Sequence, residues 1–233
     1  MKNFLILSLT AGSLMANCLN DLNNTFIKSN ILQDKNNIVK CKKIDNNLEL
    51  FNVKNTKINK KISFWLIKNN NKKYIFIGQA ITSKGKVLNN NIVNINIIKK
   101  GTAFTFGKGK KDLYIVTDPQ CPFCIALFKK NLNKLMNNYK VHIIFMPLTS
   151  IHPLAEKMVK YILAGKNNNE RFKRFKELET QNFSNFNKFD FNKLDKNTQE
   201  KINKEYEYNL KASKELNANG TPSIYNSKFI PLN

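Results

Sequence analysis

The stretch TDPQCPFCIALFKK, residues 117–130, decides how this chain is read. Two cysteines, Cys121 and Cys124, stand three positions apart between a short apolar run and an amphipathic one. Such a pair fits a redox couple, half of a metal site, or an inert structural disulfide. The flanking sequence separates these. Upstream, DLYIVT (112–117) is a continuous apolar run of the kind that forms a strand covered on both faces. Downstream, Ile125, Phe128, Leu132 and Leu135 recur at helical spacing and predict a helix over 122–138. A strand that ends at Asp118-Pro119-Gln120 and runs straight into that helix puts Cys121 at the N-cap. There its sulfur faces free amides and the positive end of the helix dipole. Both favour thiolate over thiol, which makes Cys121 the attacking group. Pro122 suits the first helical position, where a missing N–H costs nothing. Cys124, one turn later on the same face, is placed to close a disulfide with Cys121. Phe123 between them brings neither charge nor hydrogen bond, so the pair is expected to be less oxidising than one with an intervening histidine.

A structural zinc site asks for four ligands, commonly a second C-x-x-C or paired histidines. Only Cys18, Cys41, His142 and His152 remain, and none stands at ligand spacing to another. No metal and no cofactor are therefore expected. An inert disulfide would waste the reactive geometry of a cap position. His142, inside an apolar run, and His152, just before Pro153, read as structural. Asp118 has two readings, a turn-former before Pro119 or a proton carrier for Cys124.

Further along, YKVHIIFMPL (139–148) predicts a second buried strand. Helices are expected over 153–164, opened by Pro153 and closed by Gly165, over 169–179 with Phe172 and Phe175 inward, and over 197–217, stopping at Asn219-Gly220. PSIYN and KFIPL then read as short strands. NANGTPSIYNSK (217–228) sets Gly-Thr-Pro between a helix and a strand, where a cis-proline turn and an ordinary trans turn both fit. A cis Thr221–Pro222 bond beside Cys121 would leave the Thr221 backbone free to pair with an extended substrate.

Residues 17–87 read as a small α+β unit. LNDLNNTFIKS (19–29) is a short helix. NIVKCKKI and NLELFNVKN form a hairpin around Asp45-Asn46-Asn47, and KISFWLIKNNNKKYIFIGQAI forms a second around its asparagines. One helix and about four strands are marginal alone, and such a unit gains from pairing with a second copy. Residues 88–105 connect it to the second half. Leu88, Ile92, Ile95 and Ile98 keep helical spacing there, while IVNINI alternates like a strand.

The start, MKNFLILSLTAGSLMANC, has one lysine, a short apolar segment and small residues up to Ala16, the pattern of a secretory signal peptide cleaved after Ala16. Asn17 before Cys18 speaks against lipidation. The cysteines are then expected to meet an oxidising compartment. A bridge from Cys18 to Cys41 is reasonable there; otherwise Cys41 is a buried apolar residue and Cys18 a free thiol. The formal charge of +23 is nearly all lysine, since Arg171 and Arg174 are the only arginines. Those lysines are scattered among asparagines rather than gathered on one stripe. Nucleic-acid binding is not expected, because it would use arginine and a concentrated basic face.

Asp118-Pro119-Gln120-Cys121-Pro122-Phe123-Cys124 and Asn217-Ala218-Asn219-Gly220-Thr221-Pro222-Ser223-Ile224-Tyr225 resemble the DsbC/DsbG family of periplasmic thiol:disulfide interchange proteins, the second stretch being closer to the DsbG branch. GQAITSKGKVLNN is similar to the hairpin that closes that family's N-terminal domain. The resemblance implies a mixed α+β and α/β chain. Its parts would be a signal peptide (1–16), a cystatin-like dimerisation domain (17–87), a short linker (88–105) and a thioredoxin-like catalytic domain (106–233) with a helical insertion at about 150–218. The family's C-terminal helix over one sheet face has no counterpart in this reading. By position Cys121 would be the nucleophile, Cys124 the resolving thiol, and Thr221 and Pro222 the cis-proline pair facing them. The family further implies a V-shaped homodimer in the periplasm that isomerises or reduces misoxidised cysteines of unfolded exported proteins, kept reduced by a DsbD-like membrane thiol reductant. The alternatives are a net dithiol oxidase and a non-enzymatic chaperone.

Overall fold

A computed structural model describes residues 34, 36–58, 60–83, 85, 88 and 92–232, which divide into two compact units between Ile92 and Val93. The signal peptide, the helix expected at 19–29 and Cys18 lie outside the described residues. Among the described residues no helix is long and apolar enough to cross a membrane.

The first unit is an antiparallel meander, β1 (Asn37–Lys43), β2 (Leu48–Asn55), β3 (Lys60–Asn69) and β4 (Lys72–Phe76), with the strands in sequence order. Asp45 Oδ1 accepts from Asn47 N–H and sets the first hairpin where the asparagine-rich turn was expected. Alternation then sorts the side chains. Cys41, Phe51 and Phe64 align across three strands on one face, and the two phenyl rings stack at 5.1 Å. Leu50 and Trp65 occupy the other face with Ile92, and the Trp65 indole N–H donates to the Gly78 carbonyl.

The second unit begins earlier than the sequence reading placed it. Residues expected in the linker supply α1 (Ile95–Lys100), capped by the Asn94 side chain, and β5 (Phe104–Phe106). Asn94 as a cap settles the helix-or-strand ambiguity, because a side-chain acceptor at that position satisfies a free amide of the first turn. The sheet runs β5-β7-β6-β8-β9. Its centre, β6 (Lys111–Thr117), is parallel to β7 (Tyr139–Phe145) and antiparallel to β8 (Ser223–Asn226), with β9 (Pro231–Leu232) beyond. The β6–β7 crossover is α2 (Pro122–Asn138). Between β7 and β8 come α3 (Ala155–Leu163), α4 (Asn168–Glu179), α5 (Ser184–Lys188), a 3-10 turn (Phe191–Lys193) and α6 (Lys196–Glu215). Helix α3 starts after Pro153 rather than on it, with Leu154 at the cap.

Alternation on β6 and β7 separates two cores. Leu113, Ile115, Val141, Ile143 and Phe145 meet α2 to α5 through a cluster of phenylalanines, among them Phe104, Phe128 and Phe175. Tyr114, Val116 and Ile144 meet Ile98 of α1 and Ala212 and Leu216 of α6 on the other side. Helix α6 contributes to both cores, Ile202 to the first and Ala212 to the second. It passes the sheet edge where β5 stops, and there Asn209 Oδ1 accepts the buried Phe145 N–H at 2.8 Å in place of a strand neighbour. Gly101 permits the close seating of α1 on α6, since a Cβ there would run into the Tyr208 carbonyl and Ala212. Both arginines are structural. Arg171 holds the Ala103 and Gly165 carbonyls and Glu205, and Arg174 holds the Tyr161 carbonyl.

Candidate active site

Thr117 ends β6 and Cys121 caps α2 with extended backbone (φ −69°, ψ 122°), so strand and helix meet at the cysteine as expected. The Cys121 N–H donates to the Asp118 carbonyl at 3.1 Å, which tightens the connecting turn, and the Ile125 N–H returns to the Cys121 carbonyl at 3.0 Å. Pro122 takes the first helical position. Both thiols are free. Both are also buried, Cys121 at 3% exposure and Cys124 at 0%, while Phe123 between them is 74% exposed. The helix therefore presents its two sulfurs inward and a phenyl ring outward.

The Gly-Thr-Pro turn arrives from the other end of the unit, before β8, which pairs with β6. The Thr221–Pro222 bond is cis. The Cys121 thiol donates to the Thr221 carbonyl at 3.5 Å. Sheet closure thus brings together Cys121, Cys124, Thr221 and Pro222, which are separated by about a hundred residues of sequence. Cys41 is far from this chemistry: it is buried on β1 in the first unit and disulfide-bonded. Its expected partner Cys18 lies outside the described residues.

Burial pushes the Cys124 thiol up to about 12, and a negative charge on Cys121 acts in the same direction. The Asp118 backbone N–H and the hydroxyls of Thr117 and Thr221 oppose this by donating toward a Cys124 thiolate. Those two hydroxyls are themselves buried and have no other partner, so their donor capacity is directed at the sulfur. A thiol held neutral at rest, with donors waiting for its anion, suits a second-step thiol rather than an attacking one.

Asp118 and His152 form a pair that sequence reasoning took apart. Asp118 is fully buried; its Oδ1 accepts from Gln120 N–H, and its Oδ2 accepts from Leu148 N–H and lies 2.7 Å from His152 Nδ1. It is the turn-former of one reading, and it also anchors the loop before α3. Gln120 reinforces the same junction by accepting from the Leu154 N–H. His142 stays structural, stacked on Tyr114 and 2.7 Å from Asp112. Sequence reasoning also missed Glu179, the last residue of α4. It is buried at 3% exposure, and burial first, then the charges of Cys121 and Asp118, hold its carboxyl up to about 8. Among the described residues no group of histidines, cysteines and acids is set to hold a metal ion.

Two thiols on the first turn of a helix, faced by the carbonyl of a proline turn from the adjoining strand, define a dithiol site of the thioredoxin type. The chain belongs to the thioredoxin-like domain family, which residues 102–227 match, more than half of its length. Three solved structures illustrate the likeness. ScsC of Proteus mirabilis in a transitional conformation is 20% identical over 57% of this chain and 65% of its own, with a TM-score of 0.43. DsbG of Helicobacter pylori is 15% identical over 86% of this chain and 98% of its own, with a TM-score of 0.42. MdbA of Corynebacterium diphtheriae, a thiol-disulfide oxidoreductase, is 13% identical over 58% and 85%, with a TM-score of 0.43. No curated protein sequence matches the chain.

Proposed function

We propose that this protein is an exported thiol:disulfide oxidoreductase that isomerises or reduces misoxidised cysteines in client proteins. One observation carries the reading: Cys121 caps α2 against the Thr221 carbonyl while Cys124 lies fully buried one turn behind it. The Cys121 thiolate attacks a client sulfur, forming a mixed disulfide and expelling the client's other sulfur as thiolate. The client segment lies along the Thr221–Pro222 turn. Cys124 then attacks Cys121, releases the client thiol and leaves a Cys121–Cys124 disulfide, or the client's own thiol resolves the intermediate and leaves the pair reduced.

Further parts of the reading rest on sequence. The resemblance to the DsbC/DsbG family supports a periplasmic site of action after loss of residues 1–16, dimerisation through the first unit, and a membrane thiol donor that keeps the pair reduced. The uncharged Phe123 and the resemblance favour isomerase or reductase over net oxidase. A glutathione titration of the mature protein tests this. A potential near about −180 mV is expected, and one near about −120 mV would move the reading to oxidase. Cys121→Ala should abolish exchange while leaving the thermal unfolding transition in place. If exchange survives in that variant, Cys121 is not the nucleophile. If clients are held equally well by wild type and variant and neither exchanges disulfides, the protein is a chaperone.

A further inference from the structure

Asp118 joins the cysteine turn to the loop that precedes α3, and each of its polar groups is engaged there. Its carbonyl accepts the Cys121 N–H at 3.1 Å, and its own N–H is directed toward the Cys124 sulfur. Carboxyl Oδ1 accepts the Gln120 N–H at 2.8 Å, while Oδ2 accepts the Leu148 N–H at 2.8 Å and meets His152 Nδ1 at 2.7 Å. A carboxylate that collects two backbone N–H groups is held as the acceptor, so the proton between Oδ2 and Nδ1 belongs to the imidazole. The anion is fully buried, whereas the His152 side chain keeps 14% of its surface in contact with water. A buried carboxylate is costly unless a positive charge answers it. Among the described residues His152 is the only basic group within ion-pair distance of Asp118. The lysines of the next helix are turned elsewhere, Lys160 to Glu156 and Lys157 over the Phe186 ring. The charge of Asp118 also acts on Glu179 of α4 and Tyr206 of α6, but neither can offer a cation, and burial above all keeps the proton on both.

We propose that His152 is a positioning residue of the dithiol site: its imidazolium neutralises the buried Asp118 carboxylate and so sets the balance between dithiol and disulfide at Cys121 and Cys124. This deepens the oxidoreductase reading and rests on it. Asp118 meets one cysteine through its carbonyl and the other through its N–H, so its carboxylate lies within a residue's length of both sulfurs. An uncompensated negative charge there opposes a thiolate on Cys121 and has little effect on the uncharged disulfide. Paired with His152 it adds no net charge, and the thiolate keeps the benefit of the helix start. A favoured thiolate makes the dithiol form the more stable one and the disulfide the stronger oxidant. Phe123 brings no charge to the motif, so the imidazole that adjusts this balance enters from the loop before α3 rather than from between the cysteines. In exchange with glutathione disulfide the pair gives up two electrons and two protons. The Cys121–Cys124 bond forms, the glutathione disulfide bond breaks into two thiols, and the His152 charge moves the position of this equilibrium.

The equilibrium of the full chain with glutathione and its disulfide reads the proposal directly. His152→Asn keeps an N–H donor where Nδ1 stands and cannot carry a charge. In it the equilibrium should move toward the Cys121–Cys124 disulfide by about tenfold, a potential lower by about 30 mV. The ultraviolet absorbance of the Cys121 thiolate should also appear at higher pH than in wild type. Asp118→Asn removes the anion itself and should leave the equilibrium at the wild-type position or on its dithiol side. These signs separate charge from packing, since a pair that only braced the turn would be damaged in the same sense by both substitutions. A shift toward the disulfide in both variants, or none in His152→Asn, overturns the proposal. Where thermal melting shows that one variant has not folded, the sign of the other decides. If wild type does not exchange with glutathione at all, the oxidoreductase reading falls and this proposal falls with it.

Discussion

In the first unit Cys41 stands in the middle of β1, level with Phe51 and Phe64 across the sheet, and is disulfide-bonded. In the second, Cys121 and Cys124 stand on the first turn of α2 and are free. All three are buried to nearly the same degree, at 2%, 3% and 0% exposure. Burial therefore does not separate a structural sulfur from a reactive one. The surrounding backbone does. In mid-strand the amides are committed to the ladder, and a thiolate would find no donors. At a helix start the first amides are free, and the turn before β8 brings a carbonyl and a hydroxyl to the same spot.

Trp65→Ala tests whether that contrast is also a division of stability. Trp65 is fully buried in the first unit, and its loss should cost about 3–5 kcal/mol in denaturant unfolding of that unit. The disulfide exchanges carried by Cys121 and Cys124 should continue at wild-type rates. If they vanish with the first unit's fold, the two cysteine environments are not independent.

Glu179 sharpens the comparison at intermediate size. Its folded-state value of about 8 lies above the ordinary glutamate value, so on raising the pH the unfolded chain loses this proton first. Stability is thus drained as pH climbs from the unfolded value toward the folded one and is level beyond it. Glu179→Gln removes that drain, and the variant should be more stable than wild type by roughly 4 kcal/mol at pH 8 and equal to it near pH 4. Melting temperatures across that range would show it, and a gap that does not change with pH would mean the carboxyl is not held protonated. The smallest effect is expected at Phe123. Its ring is mostly exposed, and Phe123→Ala should leave stability within about 0.5 kcal/mol of wild type. A larger loss would mean that the outward face of the motif is packed after all.

Much of this was legible in the residues. Strands over 112–117 and 139–148 and the helix over 122–138 announce themselves by unbroken apolar runs and by spacing, and they lie within a few residues of β6, β7 and α2. Cys121 was readable because its chemistry depends on local backbone, a strand end and a helix start. Glu179 was not, because its chemistry depends on what packs over it. In NERFKRFKELE it resembles the solvated acids around it. The one available sign was its position four residues after Phe175, on the apolar face. His152 hid for the same reason, thirty-four residues from the Asp118 it meets. The helix at 95–100 was balanced between two periods until a cap decided it.

The passage of α6 around the sheet edge also bears on how the second unit opens. The Phe145 amide is tied to Asn209 rather than to a strand, and one continuous helix is embedded in the packing above and below the sheet. Neither side can be exposed while the other keeps its cover unless α6 breaks in its middle. Local openings that end at that edge are thereby suppressed, and the Phe145 amide should exchange its hydrogen with solvent only through the concerted opening that frees both sides.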